Sequence, residues 1–228
     1  MDRRRDSKAS TGATNFYKYT KQEKTHNPHY NTHLITVPFR MLCIAASGGG
    51  KTLFFCELLR QMGGTFEEVI VCTRCRDEPL YELMAKRLGG LVRFYENEVP
   101  DLDEFKKDKK QRIICFDDLI LSRALNARIG EYFIRSRKFN ISCVYLSQSY
   151  FAVPKIIRQQ ANYIVLKKIG SVKDLRLIIR EFSLDLDLDS LVALYNRITG
   201  SGVLDFLMID LQDMDKRYRH NFTPLAGG

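Results

Sequence analysis

Short apolar segments alternate with longer amphipathic segments along most of the chain. The apolar segments contain almost no polar positions, which is typical of parallel strands buried on both faces of a sheet. They lie at residues 41–44, 69–72, 113–116, 141–146 and 163–166. The segments between and after them predict helices at residues 53–59, 79–88, 125–139, 172–182 and 191–198. Shorter runs predict an edge strand at residues 92–95 and a last strand at residues 203–209.

This alternation predicts an α/β fold with a mostly parallel sheet that is flanked by helices on both faces. A chain of 228 residues is long enough for one such domain, which we place at residues 34–212. Residues 213–228 are expected to form a basic tail. Residues 1–33 are expected to form a flexible arm that contacts either a phosphate backbone or a neighbouring subunit, or else remains solvated. The basic residues of this arm are Arg3, Arg4, Arg5, Lys8, Lys18, Lys21 and Lys24.

Residues 45–52, Ala-Ala-Ser-Gly-Gly-Gly-Lys-Thr, join the first predicted strand to the first predicted helix. Glycines in such a loop let successive backbone N–H groups point inward as an anion-binding nest, and the N-terminus of the helix adds its positive end. The lysine reaches the β- and γ-phosphates of a nucleotide, and the threonine hydroxyl ligates Mg²⁺. Ala45 stands where the usual pattern opens with glycine, so the motif is a relaxed form. The predicted cofactors are ATP and Mg²⁺, and the predicted binding residues are Ser47, Gly48, Gly49, Gly50, Lys51 and Thr52.

Polar side chains follow two of the later strands directly. Asp117 and Asp118 end the apolar run 113–116, at the strand end where ligands bind in open α/β sheets. We expect Asp117 to hold the Mg²⁺ shell and Asp118 to orient or deprotonate the attacking water. Gln148 follows the run 141–146, where an amide either bonds the γ-phosphate or the lytic water, or merely caps the next turn.

The charge of the chain favours a polyanionic partner. A net charge of +9 and a pI near 9.3 make nucleic acid the first candidate and an acidic membrane surface the second. The charged residues 101–110 form either a solvated segment or a loop that faces DNA. No apolar run approaches the roughly 18 to 20 residues that span a bilayer, and we expect a soluble, intracellular protein.

The six cysteines do not suggest a disulfide framework. Most of them fall inside predicted strands or the first helix, where thiols pack as small hydrophobic groups, and we expect them to be reduced. Cys72 and Cys75 have the spacing of half a zinc site or of a redox pair. Because no second Cys or His pair follows at a suitable distance, ordinary thiols at a strand end are the favoured interpretation.

The order of these motifs resembles that of the genome-packaging ATPases of poxviruses and other large nucleocytoplasmic DNA viruses. Related small ATPases occur in virophages, and the family is grouped with the FtsK and HerA DNA translocases. The resemblance covers about residues 35–210 and rests on residues 38–41 before the glycine loop, 116–118, 136–138 and 146–150. It implies a RecA-like P-loop ATPase core, a ring oligomer that is expected to be a hexamer, and ATP-driven movement of double-stranded DNA into a preformed capsid.

The resemblance also implies an active site shared between subunits, in which an arginine of the neighbour reaches the γ-phosphate. This role falls on Arg137, with Arg135 in reserve. A cation supplied in trans meets the charge that develops on the transferred phosphoryl group and couples hydrolysis to the interface. The alternative is a solvated cation at a helix C-terminus. The implied partners are double-stranded DNA, further copies of the chain, and capsid or vertex proteins, in the virion or in a cytoplasmic viral factory.

Two other functions fit the same motifs. One is a P-loop kinase for a small molecule, although such a kinase is expected to carry an arginine-rich lid over the phosphates. The other is a nucleotide-regulated capsid adaptor, which would not need Asp118 for fast turnover. Stimulation of hydrolysis by long duplex DNA would separate the translocase from both alternatives.

Overall fold

The computed structural model describes residue 19 and residues 25–119, 123–182 and 184–225. The basic residues of the predicted N-terminal arm lie outside the described residues, as do the last three residues of the predicted C-terminal tail. None of the helices in the described ranges combines the length and the apolar composition that crossing a membrane requires.

Strands and helices alternate in the described chain as the sequence predicts. Strands β1 to β9 are Arg40–Ile44, Glu68–Thr73, Val92–Glu96, Arg112–Asp117, Ile141–Ser147, Tyr163–Leu166, Leu207–Asp210, Tyr218–His220 and Thr223–Pro224. Helices α1 to α7 are Tyr30–His33, Lys51–Gln61, Pro79–Leu88, Arg123–Arg135, Lys155–Arg158, Val172–Phe182 and Leu188–Thr199. Short 3₁₀ segments lie at Gly89–Leu91, Leu102–Lys107 and Ser136–Phe139.

The described strands form one nine-stranded sheet in the order β3-β2-β4-β5-β1-β6-β7-β8-β9. The strands from β3 to β6 are parallel, whereas β7, β8 and β9 are added antiparallel. The predicted α/β class, the mostly parallel sheet and the edge position of residues 92–95 are confirmed. Strand β5 lies between β1 and β4, so the C-terminal ends of these three strands meet at one edge of the sheet.

Helices cover both faces of the central strands. On β1, Leu42 and Ile44 belong to the apolar cluster that contains residues of α4, α6 and α7. The alternate residues Met41 and Cys43 belong to the cluster that contains residues of α2 and α3. Because successive side chains of a strand point to opposite faces, a strand covered on both sides has no polar positions. This double burial explains the continuous apolar runs in the sequence.

The C-terminal region differs from the prediction. Residues 213–228 were expected to form a basic tail, but their described part adds β8 and β9 to the sheet. The side chain of Arg219 is fully buried, and its guanidinium donates to Asp210 Oδ2 at 2.6 Å and to the carbonyls of His33 and Leu34. This charge is therefore neutralised inside the fold. Strands of two and three residues give no readable periodicity, which is why the sequence analysis missed them.

Candidate nucleotide site

The loop between β1 and α2 has the backbone conformation of an anion-binding nest. Gly48 and Gly50 have φ angles of 68° and 80°, in the left-handed region that favours glycine. The N–H of Gly49 donates to the carbonyl of Ala46 at 2.8 Å and closes the turn. A Cβ atom on Gly49 would lie 2.8 Å from the same carbonyl oxygen, so a larger residue would displace the backbone. Helix α2 begins directly after this turn.

Neighbouring strands hold the loop from below. The N–H of Ala45 donates to the carbonyl of Ser147 at the end of β5, and the N–H of Ala46 donates to the carbonyl of Lys168 after β6. Ala45 is fully buried. The alanine that replaces the usual glycine therefore packs in the core and leaves the nest intact. The predicted strand at residues 203–209 begins only at Leu207, the first residue of β7. Val203 lies in the connection before it and contacts the loop, at 3.1 Å from the position that a Cβ on Gly50 would take.

A cleft of about 440 Å³ opens between the start of α2 and the ends of β2 and β4. It brings together four of the predicted site residues, namely Lys51, Thr52, Asp117 and Asp118. The residues that line it are Lys51, Thr52, Thr73, Arg74, Cys75, Glu78, Asp117 and Asp118. A second cleft, of about 470 Å³, lies beside Ser47, Gly48 and Gly49 and is closed by residues 168–170 and 199–203. The loop therefore has open space on both sides.

Asp117 ends β4 inside this first cleft and is almost completely buried. Burial raises the pKa of its carboxyl group to about 6, against the opposing effects of a hydrogen bond from Tyr81 and the positive charge of Lys51. The hydroxyl of Tyr81 donates to Oδ2 at 2.5 Å and fixes the carboxylate. Thr52 lies at the start of α2 on the same cleft. A carboxylate and a hydroxyl are the hard oxygen ligands that Mg²⁺ prefers, so these two residues fit the predicted metal role.

Asp118 and Gln148 contact each other directly. The side-chain amide of Gln148 donates to Asp118 Oδ2 at 2.5 Å. Asp118 has a φ angle of 52°, and such a left-handed conformation costs a non-glycine residue roughly 1–3 kcal/mol. Its N–H donates to the carbonyl of Leu146 on β5. The predicted acid and the predicted sensor amide thus form one unit across neighbouring strands.

The loop that follows Gln148 is anchored by a residue that sequence reasoning missed. Asp174, in the first turn of α6, is buried and accepts three hydrogen bonds from this loop. The donors are the hydroxyl of Ser149 at 3.2 Å and the backbone N–H groups of Tyr150 at 3.1 Å and Phe151 at 3.3 Å. In the sequence, an acidic residue in a first helical turn only suggests an interaction with the helix dipole.

Strand β2 and helix α3 supply further residues that the sequence analysis did not assign. Thr73, Arg74 and Glu78 line the cleft, and Tyr81 binds Asp117. They reach the site because β2 pairs with β4 in the sheet. The only signal in the sequence was a run of polar residues after the strand at 69–72.

The predicted burial of the cysteines is confirmed for those on strands, whereas Cys56 on α2 is only half-buried. Cys43, Cys72, Cys115 and Cys143 are buried, and all six cysteines are unpaired. Burial raises the pKa of the Cys43 thiol to about 12, which makes a thiolate unfavourable at neutral pH. Among the described residues, no group of three or more His, Cys, Asp or Glu side chains is arranged to hold a metal ion by itself.

Arg137 lies away from the other predicted site residues. It is exposed in the segment Ser136–Phe139, immediately before β5, whereas the phosphate-binding loop follows the opposite end of the paired strand β1. Strand β5 places about 20 Å between these two edges of the sheet. The guanidinium of Arg137 makes no hydrogen bond or ion pair with the described residues. Arg135, in contrast, pairs with Glu131 at 3.0 Å and with Asp103 at 3.6 Å. The structure therefore does not place Arg137 in the site of its own chain.

The fold, with its glycine-rich loop between β1 and α2, is that of a P-loop NTPase. The genome packaging NTPase B204 from Sulfolobus turreted icosahedral virus 2, in complex with AMP, shares it with a TM-score of 0.57 at 13% identity, over 84% of this chain and 100% of that chain. The DNA-packaging ATPase B204 from Sulfolobus turreted icosahedral virus gives a TM-score of 0.57 at 14% identity, over 88% and 100%. ATPases 2 and 3 of EssC from Geobacillus thermodenitrificans give 0.54 at 8% identity, over 84% of this chain and 40% of that chain.

No protein-family model matches the chain, and no curated protein matches it by sequence. The similarity is therefore structural, and at these identities it concerns the fold. The solved structures that share this fold include viral genome-packaging NTPases, the class that the motif order resembles.

The buried carboxylate of Asp117 predicts a measurable cost to stability. A raised pKa means that the folded state binds the proton more tightly, so the contribution of this group is most favourable below about pH 4 and is lost as the pH rises through about 6. We expect Asp117→Asn to raise the free energy of unfolding by about 1–3 kcal/mol at pH 7.5 without Mg²⁺ or nucleotide. Urea unfolding in EDTA at pH 7.5 and pH 4 measures this difference.

The increase in the free energy of unfolding should nearly vanish at pH 4. The control Asp215→Asn, at an exposed position, should change the free energy of unfolding little at either pH. If Asp117→Asn is as stable as the wild type or less stable at pH 7.5, burial of the Asp117 carboxylate does not destabilise the folded protein.

Proposed function

We propose that this protein is an ATPase of the genome-packaging branch of the FtsK–HerA group, which moves double-stranded DNA into a preformed viral capsid. One observation carries the proposal: Lys51, Thr52, Asp117, Asp118 and Gln148 converge at one edge of the sheet. They do so on a fold that is shared over the full length of a viral genome packaging NTPase. The expected location is the virion or a cytoplasmic viral factory.

The loop would bind the phosphates of ATP. The backbone N–H groups of Gly48 and Gly50 and the N-terminus of α2 supply partial positive charge, and Lys51 supplies a full one. Mg²⁺ would be held by Thr52 and Asp117, and when bound it neutralises charge on the β- and γ-phosphates. Tyr81 keeps the Asp117 carboxylate in place while it holds the metal. The neighbours in complex with AMP and AMPPCP support nucleotide binding by this fold.

Asp118 and Gln148 would act together beside the γ-phosphate. Their direct hydrogen bond places an acceptor and an amide at the same strand ends, where they can orient the attacking water. The next three residues are bonded to Asp174 on α6, so a movement of Gln148 on loss of the γ-phosphate would be passed to that helix. This connection is a physical route from hydrolysis to motion.

The trans arginine would come from a second copy of the chain. Arg137 is exposed, unpaired with the described residues, and lies at the sheet edge opposite its own phosphate loop. Contact between the Arg137 end of one copy and the phosphate-loop end of the next would be a heterologous interface, which forms a ring when the rotation between neighbouring copies closes. We therefore propose a ring, with a hexamer as the expected form, that carries its active sites between subunits.

DNA would be gripped mainly through its phosphates, in keeping with the net charge of +9. We expect long double-stranded DNA to stimulate ATP hydrolysis several-fold or more at low salt. The apparent affinity for DNA should fall by roughly 10³-fold or more between about 50 and 200 mM salt, because bound counterions are released on binding. Steady-state phosphate release, with and without a duplex of several kilobases, measures both effects.

The Lys51→Ala variant serves as the blank in this assay, and capsid or vertex proteins can be added as further ligands. Hydrolysis that depends on Lys51 but ignores DNA at every salt concentration would contradict the translocase. The fold is also shared with ATPases 2 and 3 of Thermomonospora curvata EccC in complex with a signal sequence peptide. Stimulation by a peptide and not by DNA would therefore favour movement of protein.

A further inference from the structure

Three carboxylates line the cleft beside Lys51, and they differ in what they already bind. Asp117 accepts a hydrogen bond from Tyr81 at 2.5 Å. Asp118 accepts one from Gln148 at 2.5 Å. The third carboxylate belongs to Glu78, on the cleft wall formed by the β2–α3 connection. It makes no hydrogen bond or ion pair with the described residues.

The local structure explains why the Glu78 side chain stays unused. Glu78 is the N-cap residue of α3, with extended backbone angles of −129° and 130°, but its side chain makes no capping hydrogen bond. Its backbone carbonyl accepts from the N–H groups of Tyr81 and Glu82 and so starts the helix. The side chain is half-buried, so solvent does not fully screen it. Glu78 and Asp117 line the same cleft.

We propose that Glu78 is the general base of ATP hydrolysis, a catalytic residue that takes the proton of the attacking water. This inference rests on the proposed ATPase function and deepens it. Asp117 is the proposed metal ligand and already accepts from Tyr81, and one oxygen of Asp118 already accepts from Gln148. Glu78 has both carboxylate oxygens without a partner among the described residues, and its side chain is one methylene longer than that of Asp118.

The step balances without a further reactant. The oxygen of water forms a bond to the γ-phosphorus as the bond from that phosphorus to the β–γ bridging oxygen breaks, and ADP leaves with the electron pair of that bond. The proton of the water passes to the Glu78 carboxylate and then to solvent or to the phosphate product. Asp118 and Gln148 orient the water during this transfer.

The test compares Glu78→Gln with Glu82→Gln. Both substitutions remove one negative charge near the start of α3 with little change in shape, but Glu82 is exposed and does not line the cleft. We expect Glu78→Gln to lower kcat by roughly 10²–10⁴-fold, as the loss of a general base does, while Mg²⁺-ATP binding stays within about threefold of the wild type. Glu82→Gln should keep the wild-type kcat.

Binding is followed with a fluorescent ATP analogue and kcat by phosphate release from the full chain with DNA. Unchanged kcat in Glu78→Gln would overturn the inference, and so would weaker Mg²⁺-ATP binding with kcat unchanged, because that result assigns Glu78 to the metal shell. If the wild type itself shows no Lys51-dependent hydrolysis, the proposed ATPase function fails and not the assignment of its base. Glu78→Asp, which keeps the carboxylate, should retain more activity than Glu78→Gln.

Discussion

Replacing Lys51 by alanine should reduce ATP hydrolysis to the background rate. The lysine follows the last glycine of the loop directly and lines the cleft with Asp117 and Asp118. Without it, the β- and γ-phosphates would lose the cation that adjoins the nest, and Arg74 would be the remaining positive side chain among the residues that line the cleft with its three carboxylates. We expect productive ATP binding to be lost, and hydrolysis to fall by at least roughly 10³-fold. Titration with a fluorescent ATP analogue and phosphate release measure the two losses.

A matched control removes a lysine that is exposed on the next helix, Lys86→Ala, which should bind and hydrolyse ATP like the wild type. Lys51 makes no ion pair with the described residues, so Lys51→Ala should fold normally, with thermal unfolding close to that of the wild type. A folded Lys51→Ala variant that still hydrolyses ATP at the wild-type rate would refute the phosphate-binding role of the loop. Such a result would also remove the basis for every other assignment in the cleft.

The parts of the site that are contiguous in sequence could be predicted. The nest, Lys51 and Thr52 are consecutive in the sequence. Asp117, Asp118 and Gln148 could be predicted because each follows directly after the apolar run of a buried strand. Parallel strands place all their C-terminal ends at one edge, and therefore these residues were expected to meet. The strand positions were equally readable, because burial on both faces leaves a strand with no polar positions.

The remaining residues depend on the order of strands in the sheet, which the sequence does not contain. Glu78 and Tyr81 enter the site only because β2 pairs with β4. Asp174 enters because α6 packs beneath the loop after β5. The short C-terminal strands were missed for another reason: the buried ion pair of Arg219 looks, in sequence, like one more solvated charge in a basic run. The positions of these residues therefore depend on contacts between distant segments, which local sequence patterns do not reveal.

Replacing Arg137 by alanine should leave ATP binding near normal and lower turnover by roughly three to five orders of magnitude. The arginine lies about 20 Å from its own phosphate loop along β5, so its loss cannot disturb the nest of the same chain. In the proposed ring it would meet the γ-phosphate of the neighbouring subunit and stabilise the charge of the transition state. Nucleotide titration and DNA-stimulated phosphate release separate binding from turnover. The adjacent exposed lysine provides the control Lys138→Ala, which should keep nearly full turnover.

Mixing variants distinguishes a trans arginine from a structural one. A subunit with Arg137→Ala keeps an intact phosphate loop, and a subunit with Lys51→Ala keeps an intact arginine. In a randomly mixed ring with equal amounts of both, about one quarter of the sites combine Lys51 with a neighbour's Arg137, so activity should reappear although each variant alone is inactive. If mixing restores nothing while both variants still assemble, the site is not shared between subunits. Wild-type turnover in Arg137→Ala alone would show that Arg137 is not the trans arginine. The role would then pass to Arg135, the other arginine of this segment, or leave the segment altogether, since Arg135 already pairs with Glu131.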